Sequence, residues 1–291
     1  MEREYTAFFD SGIGGLTVLR EFFRRYPSEK CIYLGDNENA PYGNRPEWEI
    51  KSLSERAFRT LAKYPLKAAV IACNTVTAEC ADRLREKYPF PIVGMEPAVK
   101  PAAAFAGEGK VLLLATRATL ASPRVHALVR TYENSGGIVA HCPERLAGDI
   151  ESRIFDLRRV RLREYLPADK FSAVVLGCTH YIFLRTRMQS FYGCRVFDGN
   201  AGTVARLAQV ARLGPPAPQM AETAADVGRN AATSGTADHR DVQIGTADHF
   251  AQKTNKCSKN FQISPKNCPI FIGKSANFNE TVFKMLLKDQ N

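Results

Sequence analysis

Two stretches of the sequence, AAVIACNT at residues 68–75 and SAVVLGCTHY at residues 172–181, decide the fold. Each is a short apolar run that ends on a small residue, a cysteine and then polar side chains. Runs that are apolar throughout, without alternation, are typical of parallel strands that are buried on both faces of a sheet. Both stretches therefore predict strands in the interior of an α/β protein.

Other parts of the chain follow the same plan. Runs of the same kind occur at 5–12, 30–36 and 110–120. Residues between them, such as 16–26 and 46–64, carry apolar side chains at helical spacing. This alternation of strands and helices predicts doubly wound parallel sheets covered by helices on both faces.

The spacing of the strands indicates two similar halves. Cys73 and Cys178 are 105 residues apart, and the same offset carries AFFDSG at 7–12 onto LLLATR at 112–117. We therefore predict two pseudo-symmetric α/β halves, residues 1–97 and 98–213, that face each other across a cleft. Each cysteine would then lie at the carboxyl end of a parallel strand, which is the edge where open α/β sheets bind ligands.

The chain after Leu213 has a different composition. Residues 214–250 contain few large apolar side chains and carry GTADH twice, so we predict a linker and a segment that returns to the first half. Residues 251–291 are rich in Lys and Asn, and we expect them to form a weakly ordered extension.

Composition and charge exclude several classes of protein. The 291 residues are 45% hydrophobic, no apolar run approaches the ~18–20 residues of a membrane span, and the acidic N-terminus does not resemble a signal peptide. We expect a cytoplasmic protein with no membrane partner. About half of the net charge of +10 comes from residues 251–291, with no basic stripe elsewhere, so nucleic acid is not expected as a partner.

The cysteines are expected to be free thiols. The eight cysteines include no CxxC pair and no zinc-like spacing, so the sequence predicts neither a metal site nor a disulfide framework. Two thiols on opposite sides of a cleft suit racemisation, because one sulfur can remove a proton from carbon while the other returns a proton to the opposite face. No lysine has a recognisable pyridoxal phosphate context, so we expect the reaction to need no cofactor.

Four motifs together carry a family resemblance. The set DSGIGGLTVL (10–19), DNENAPYGNRP (36–46), ACNT (72–75) and LGCTHY (176–181) resembles the glutamate racemases, cofactor-independent enzymes that supply D-glutamate for peptidoglycan. The resemblance extends from residue 5 to about 213 and is weaker near 243–250. It implies a homodimer with glutamate as its small-molecule substrate.

The resemblance also implies roles for matching residues. Cys73 and Cys178 would be the two acid–base thiols, assisted by Asp10 and His180 respectively. A further carboxylate is expected near Cys73 from the segment at 141–151; Glu151 is our choice, with Glu144 and Asp149 as alternatives. The residues expected to hold the amino acid are Asp10, Ser11, Pro41, Tyr42, Gly43, Cys73, Asn74, Thr75, Cys178, Thr179 and His180.

Three other functions remain open at this point. An aspartate racemase or related cysteine-pair racemase would share the fold and both thiols. A non-catalytic binding or regulatory protein could use the same fold. A thiol redox protein would need the two sulfurs within bonding distance, whereas a racemase needs them on either side of its substrate.

Overall fold

The first half of the chain forms a five-stranded parallel sheet. The structure, a computed structural model, describes residues 4–132, 136–217 and 269–288. The strands of this sheet are β1 (Tyr5–Asp10), β2 (Cys31–Gly35), β3 (Leu66–Ile71), β4 (Ile92–Gly94) and β9 (Ile270–Ile272), in the spatial order β4-β3-β1-β2-β9. In the central strand, Phe8 and Phe9 are fully buried in cores on opposite faces. Because both faces are covered, the sequence of β1 shows no alternation.

The second half repeats this arrangement with four parallel strands. They are β5 (Val111–Ala115), β6 (Ile138–His141), β7 (Ala173–Gly177) and β8 (Arg195–Asp198), in the order β6-β5-β7-β8. The 105-residue offset relates β1 to β5 and β3 to β7, and the order β4-β3-β1-β2 then corresponds to β8-β7-β5-β6. The predicted fold class, two pseudo-symmetric doubly wound halves, is confirmed.

Helices cover both faces of each sheet. They are α1 (Leu16–Arg25), α2 (Glu47–Leu61), α3 (Asn74–Lys87), α4 (Val99–Ala106), α5 (Arg117–Ala121), α6 (Pro123–Thr131), α7 (Leu146–Ser152), α8 (Arg185–Tyr192), α9 (Asn200–Val210) and α10 (Ala276–Lys288). In the first half, α2 and α3 cover one face while α1, α9 and α10 cover the other. In the second half, α7 and α8 lie opposite α4 and α6. Over the ranges described, no helix combines the length and the apolar character needed to cross a membrane.

Helix α9 does not belong to the half in which the sequence predicted it. It follows the last strand of the second sheet, yet Val204 and Leu207 are buried in the core of the first half, against α1. The predicted second half, residues 98–213, therefore includes a helix that packs on the first half. Periodicity identifies the apolar side of a helix, but it does not identify which sheet that side covers.

The C-terminal segment also differs from the prediction. Strand β9 pairs in parallel with β2, where Ile270 lies opposite Ile32, and Val282 and Phe283 of α10 are buried in the first-half core. Residues 269–288 thus pack as part of the first half, and the other residues of the predicted extension, 251–268 and 289–291, lie outside the described residues. Pairing with β9 supplies hydrogen-bond partners to the backbone edge of β2, which would otherwise be exposed. This pairing explains why Ile270–Ile272, although short, forms a strand. Residues 218–268, with the GTADH duplication, lie outside the described residues.

Replacing Phe283 with Ala tests the packing of α10. The Phe283 ring contacts those of Phe23 and Phe271, with centroids 6.1 and 5.8 Å away, so Phe283→Ala should lower the free energy of unfolding by about 3–5 kcal/mol. Phe278→Ala on the same helix is the matched control, because 37% of that residue is exposed and its loss should cost less than half as much. Urea unfolding measures both; equal effects would contradict this packing.

Candidate active site

The two cysteines Cys73 and Cys178 lie at equivalent edges of the two sheets. Cys73 follows β3 and immediately precedes α3, and Cys178 follows β7 and immediately precedes a 3₁₀ turn at Thr179–Leu184. Both side chains are buried, with 5% and 7% of their surface exposed, and neither is bonded to another cysteine of the described residues. The fold thus presents two free thiols, each where a parallel strand gives way to a helical segment.

The surroundings of Cys73 favour a protonated thiol. The Ser11 Oγ lies 3.5 Å from its sulfur. Burial, and to a lesser extent the Asp10 carboxylate, raises the pKa of Cys73 to about 12. Hydrogen bonds from Ser11 and from the Val76 N–H act in the opposite direction but do not cancel the effect of burial. At neutral pH, Cys73 is therefore a proton donor in this site.

The surroundings of Cys178 differ, because a histidine stands beside its sulfur. The His180 Nδ1 is 3.8 Å from Cys178 Sγ, and its Nε2 is 2.5 Å from Glu151 Oε2. Burial alone lowers the pKa of His180, but the hydrogen bonds to Cys178 and Glu151 outweigh it, so the pKa lies well above its usual value. These contacts favour the protonated ring, which is a charged donor beside the sulfur.

The carboxylate of Glu151, predicted to lie near Cys73, contacts His180, the histidine beside Cys178. Its Oε2 contacts His180 and accepts a hydrogen bond from the Ile13 N–H at 3.2 Å. The imidazole connects Glu151 to Cys178. The hydrogen bonds found for Glu151 do not connect it to Cys73, where the sequence placed it. The reason is geometric: α7 belongs to the second half, so its C-terminal turn reaches the histidine that follows β7.

The two alternative carboxylates lie outside the site. Glu144 forms an exposed ion pair with Arg117. Asp149 pairs with Arg153 and accepts a hydrogen bond from the Tyr165 hydroxyl at 2.6 Å. Of the three candidates in the segment 141–151, Glu151 is the one that meets the catalytic histidine candidate.

The Asp10 carboxylate joins the two halves at the end of β1. It accepts hydrogen bonds from the Gly12 N–H at 3.0 Å and from the Thr179 hydroxyl of the second half at 3.1 Å. Burial raises its pKa to about 6, opposed mainly by the charge of His180. Near neutral pH, Asp10 can therefore exchange a proton more readily than an ordinary aspartate.

Glycines in the DSGIGG loop allow the second half to approach this closely. A Cβ on Gly12 would lie 2.6 Å from Glu151 Oε2, and a Cβ on Gly14 would overlap the Thr179 Oγ1. Neither clash can be relieved without moving the side chains that the site needs. The glycines are therefore required by contact between the halves, and not by phosphate binding.

Two of the residues predicted to hold the amino acid, Tyr42 and Asn74, form hydrogen bonds within the protein. Pro41, which follows a cis peptide bond, precedes the 3₁₀ turn Tyr42–Asn44, and the Tyr42 hydroxyl donates to Asp36 Oδ2 at 2.6 Å. Asn74 donates to the Met95 carbonyl at 3.2 Å, while its Oδ1 has no hydrogen-bond partner within the described residues.

Three residues of the site were not predicted from the sequence. The Thr75 hydroxyl lies 2.9 Å from that of Thr116 and 3.2 Å from that of Thr119, both of which belong to the second half. The 105-residue offset relates Thr116 to Ser11, a predicted site residue. The internal repeat could therefore have predicted Thr116 as a site residue. Asn37 donates to Glu151, and no sequence pattern indicated that contact.

The raised pKa of Asp10 predicts a specific dependence of stability on pH. Because the folded-state pKa is about 6 and the ordinary value is 3.8, the folded protein binds this proton more tightly, and Asp10 opposes folding as the pH rises from about 4 to about 6. The free energy of unfolding of the wild type, minus that of Asp10→Asn, should fall by about 2 kcal/mol between pH 4 and pH 7. Urea unfolding at each pH measures this difference, and a constant difference would contradict the assignment.

Comparison with known proteins yields one consistent family. The model of the Asp/Glu/Hydantoin racemase family matches residues 24–207. The glutamate racemase of Clostridium perfringens strain 13 is 43% identical over 209 residues, which cover 69% of this chain and 80% of that protein.

Solved structures agree with the sequence comparison. A glutamate racemase isoform from Bacillus anthracis has a TM-score of 0.65 at 29% identity, covering 73% of this chain and 83% of that one. Escherichia coli glutamate racemase, solved with L-glutamate and the activator UDP-MurNAc-Ala, has a TM-score of 0.62 at 34% identity, covering 74% and 84%. Because the family model matches more than half of the chain and includes both cysteines, the chain belongs to the Asp/Glu/Hydantoin racemase family.

Proposed function

We propose that this protein is a glutamate racemase that interconverts L- and D-glutamate without a cofactor, and that it supplies D-glutamate for peptidoglycan. The observation that carries the proposal is the pair of buried thiols at matching sheet edges, each with its own acid–base partners. Asp10 and Ser11 accompany Cys73, and His180 with Glu151 accompanies Cys178. The similar proteins that carry the name glutamate racemase support this substrate over aspartate.

The proposed reaction uses one sulfur as base and the other as acid. In one direction, a Cys178 thiolate beside His180 takes the Cα proton, which breaks the C–H bond and forms an S–H bond. The Cys73 thiol then gives its proton to the opposite face of the carbanion, forming a new C–H bond on the other side. In the reverse direction the thiols exchange roles, so each must be able to lose and to regain a proton.

The proton partners of the two thiols fit this exchange. Asp10, whose pKa is about 6, can take a proton from the Cys73 side as substrate binds. On the other side, the His180 imidazolium can stabilise a Cys178 thiolate or return a proton to it. Carbanion chemistry without a cofactor depends on such preorganised charges, which act more strongly in a buried site than in water.

The polar groups around the thiols supply the contacts an amino acid requires. We assign the α-carboxylate and ammonium to Ser11, Asn74, Thr75 and Thr179. The side-chain carboxylate is assigned to the backbone N–H groups of Tyr42 and Gly43, which follow Pro41 at the start of the 3₁₀ turn. The free Asn74 Oδ1 accepts from an ammonium group, while hydroxyls and backbone N–H groups donate to carboxylates.

Compartment and assembly form part of the same proposal. Two thiols that exchange protons must remain reduced, which is the condition of the cytoplasm. The homodimer implied by the family resemblance stays a prediction.

Proton exchange in D₂O tests the function. Supplied with L-glutamate and no cofactor, the enzyme should form D-glutamate that carries deuterium at Cα before deuterium enters the remaining L-glutamate, because separate thiols handle the two protons. Cys73→Ser and Cys178→Ser should each lower kcat/KM by about 10²- to 10⁴-fold. Mass spectrometry and chiral chromatography measure both. Exchange with aspartate alone would identify an aspartate racemase, and exchange with neither would favour a binding or redox protein.

Glu151 should matter through its contact with His180. Glu151→Gln removes the negative charge that favours the imidazolium and should lower kcat/KM by roughly 10- to 100-fold at neutral pH. Glu144→Gln is the matched control from the same segment, and it should stay within about twofold of the wild type because Glu144 is exposed and paired with Arg117. Equal losses in the two variants would argue against this role.

A further inference from the structure

The side chain of Asn37 lies against the Glu151 carboxylate but belongs to none of the groups assigned above. It opens the 3₁₀ turn Asn37–Asn39 that follows β2, and its Nδ2 donates to Glu151 Oε1 at 2.5 Å. The two residues come from different halves. This contact therefore connects the end of a first-half strand to the carboxylate that meets the histidine of the second half.

Each oxygen of Glu151 has a distinct set of donors. Oε1 accepts from Asn37, whereas Oε2 accepts from the Ile13 N–H and meets His180. A carboxylate on a long side chain can rotate about its terminal bond, and hydrogen bonds to both oxygens remove that freedom. With Oε1 held by Asn37, Oε2 is held toward the imidazole.

Behind Asn37 lies a second amide, from the C-terminal helix. Asn279 of α10 is fully buried, and neither of its side-chain polar atoms has a hydrogen-bond partner among residues 4–132, 136–217 and 269–288. The Oδ1 of Asn37 is likewise without a partner in those ranges. Buried amides are rarely left unpaired, so such a pair calls for a physical explanation.

The two amides face the same small space beside Gly35. A Cβ placed on Gly35 would lie 2.8 Å from Asn279 Nδ2 and 3.0 Å from Asn37 Oδ1, and 2.7 Å from the Gly12 carbonyl. An unpaired donor and an unpaired acceptor thus approach one another across a glycine that has no side chain to separate them. Small rotations of the two amides, or one bridging water, would satisfy both.

We propose that Asn37 is a positioning residue that aims the Glu151 carboxylate at His180. Asn279 supports Asn37 from behind, so that α10, which lies outside the family match at 24–207, forms part of the support of the site. The role in turnover rests on the two-thiol function proposed above. The positioning itself concerns Cys178 and not Cys73, and this asymmetry makes it testable.

Alkylation measures the reactivity of Cys73 and Cys178 separately. Iodoacetamide modification of the wild type at fixed pH, followed by peptide mass spectrometry, gives a separate rate for each cysteine. Asn37→Ala, and Asn37→Asp with its charge repulsion against Glu151, should slow alkylation of Cys178 severalfold because the imidazolium loses its oriented partner. Alkylation of Cys73 should stay unchanged, and so should the unfolding midpoint in urea.

Kinetics provide the second readout. Both Asn37 variants should lower kcat/KM by about tenfold, the lower range for a lost hydrogen bond to a charged group. Asn279→Ala should show the same pattern with a smaller effect, and Asn277→Ala, an exposed asparagine on the same helix, should behave as wild type. The pH profile of kcat/KM should shift in the Asn37 variants, which a merely structural defect would not cause.

The opposing outcomes are distinct. Unchanged Cys178 alkylation and unchanged kcat/KM in Asn37→Ala would overturn the proposal. Parallel changes at both thiols, together with a lower unfolding midpoint, would also overturn it, because they indicate a general structural defect. Failure of the racemase function itself would appear as a wild type without exchange in D₂O, and the alkylation pattern can be measured independently of that result.

Discussion

The site depends on how closely the backbone of the loop after β1 approaches side chains of the second half. The loop after β1 contains glycines where any Cβ would strike Glu151 or Thr179, and Asp10 accepts a hydrogen bond from that same threonine. On the opposite side, Thr75 of the first half meets Thr116 of the second. The two contacts are reciprocal under the 105-residue repeat to within one residue. The halves are thus joined by polar contacts at the positions that follow their strands.

Within this symmetric frame the two thiols have chemically different partners. Cys73 has a hydroxyl and a nearby carboxylate whose pKa is about 6, whereas Cys178 has an imidazole supported by a second carboxylate. The repeat provides equivalent positions for the two cysteines, and divergence of the two halves gives each sulfur different neighbours. A racemase acts on mirror-image substrates that are equal in free energy, but the side chains that handle the two faces need not be equal. The carboxylate, ammonium and side chain of the amino acid differ from one another and need different contacts. Only the position of the proton at Cα is inverted.

Local pattern and internal spacing were sufficient to predict much of this arrangement. Buried parallel strands follow from apolar runs without alternation, and the thiols from their place at the ends of two such runs. Contacts between residues that are distant in the sequence could not be predicted in this way. Glu151 was expected beside Cys73, but the structure places it against His180. Helix α9 covers the first half and β9 completes its sheet for the same reason. Apolar periodicity indicates which surface of a helix or strand must be buried. Which other element covers that surface is determined only when the whole chain folds.

The order in which the first sheet is completed has a consequence for synthesis of the protein. Strand β2 lies near the N-terminus, but its outer neighbour β9 is more than 200 residues later, after the whole second half. A nascent chain therefore exposes an unpaired strand edge, and an uncovered apolar face of α1, until Ile270–Ile272 and α10 have left the ribosome. The first half cannot mature as an independent unit during translation. A ribosome stalled between α9 and β9 would hold two sheets, one of them open, which is a form prone to aggregation and to capture by chaperones.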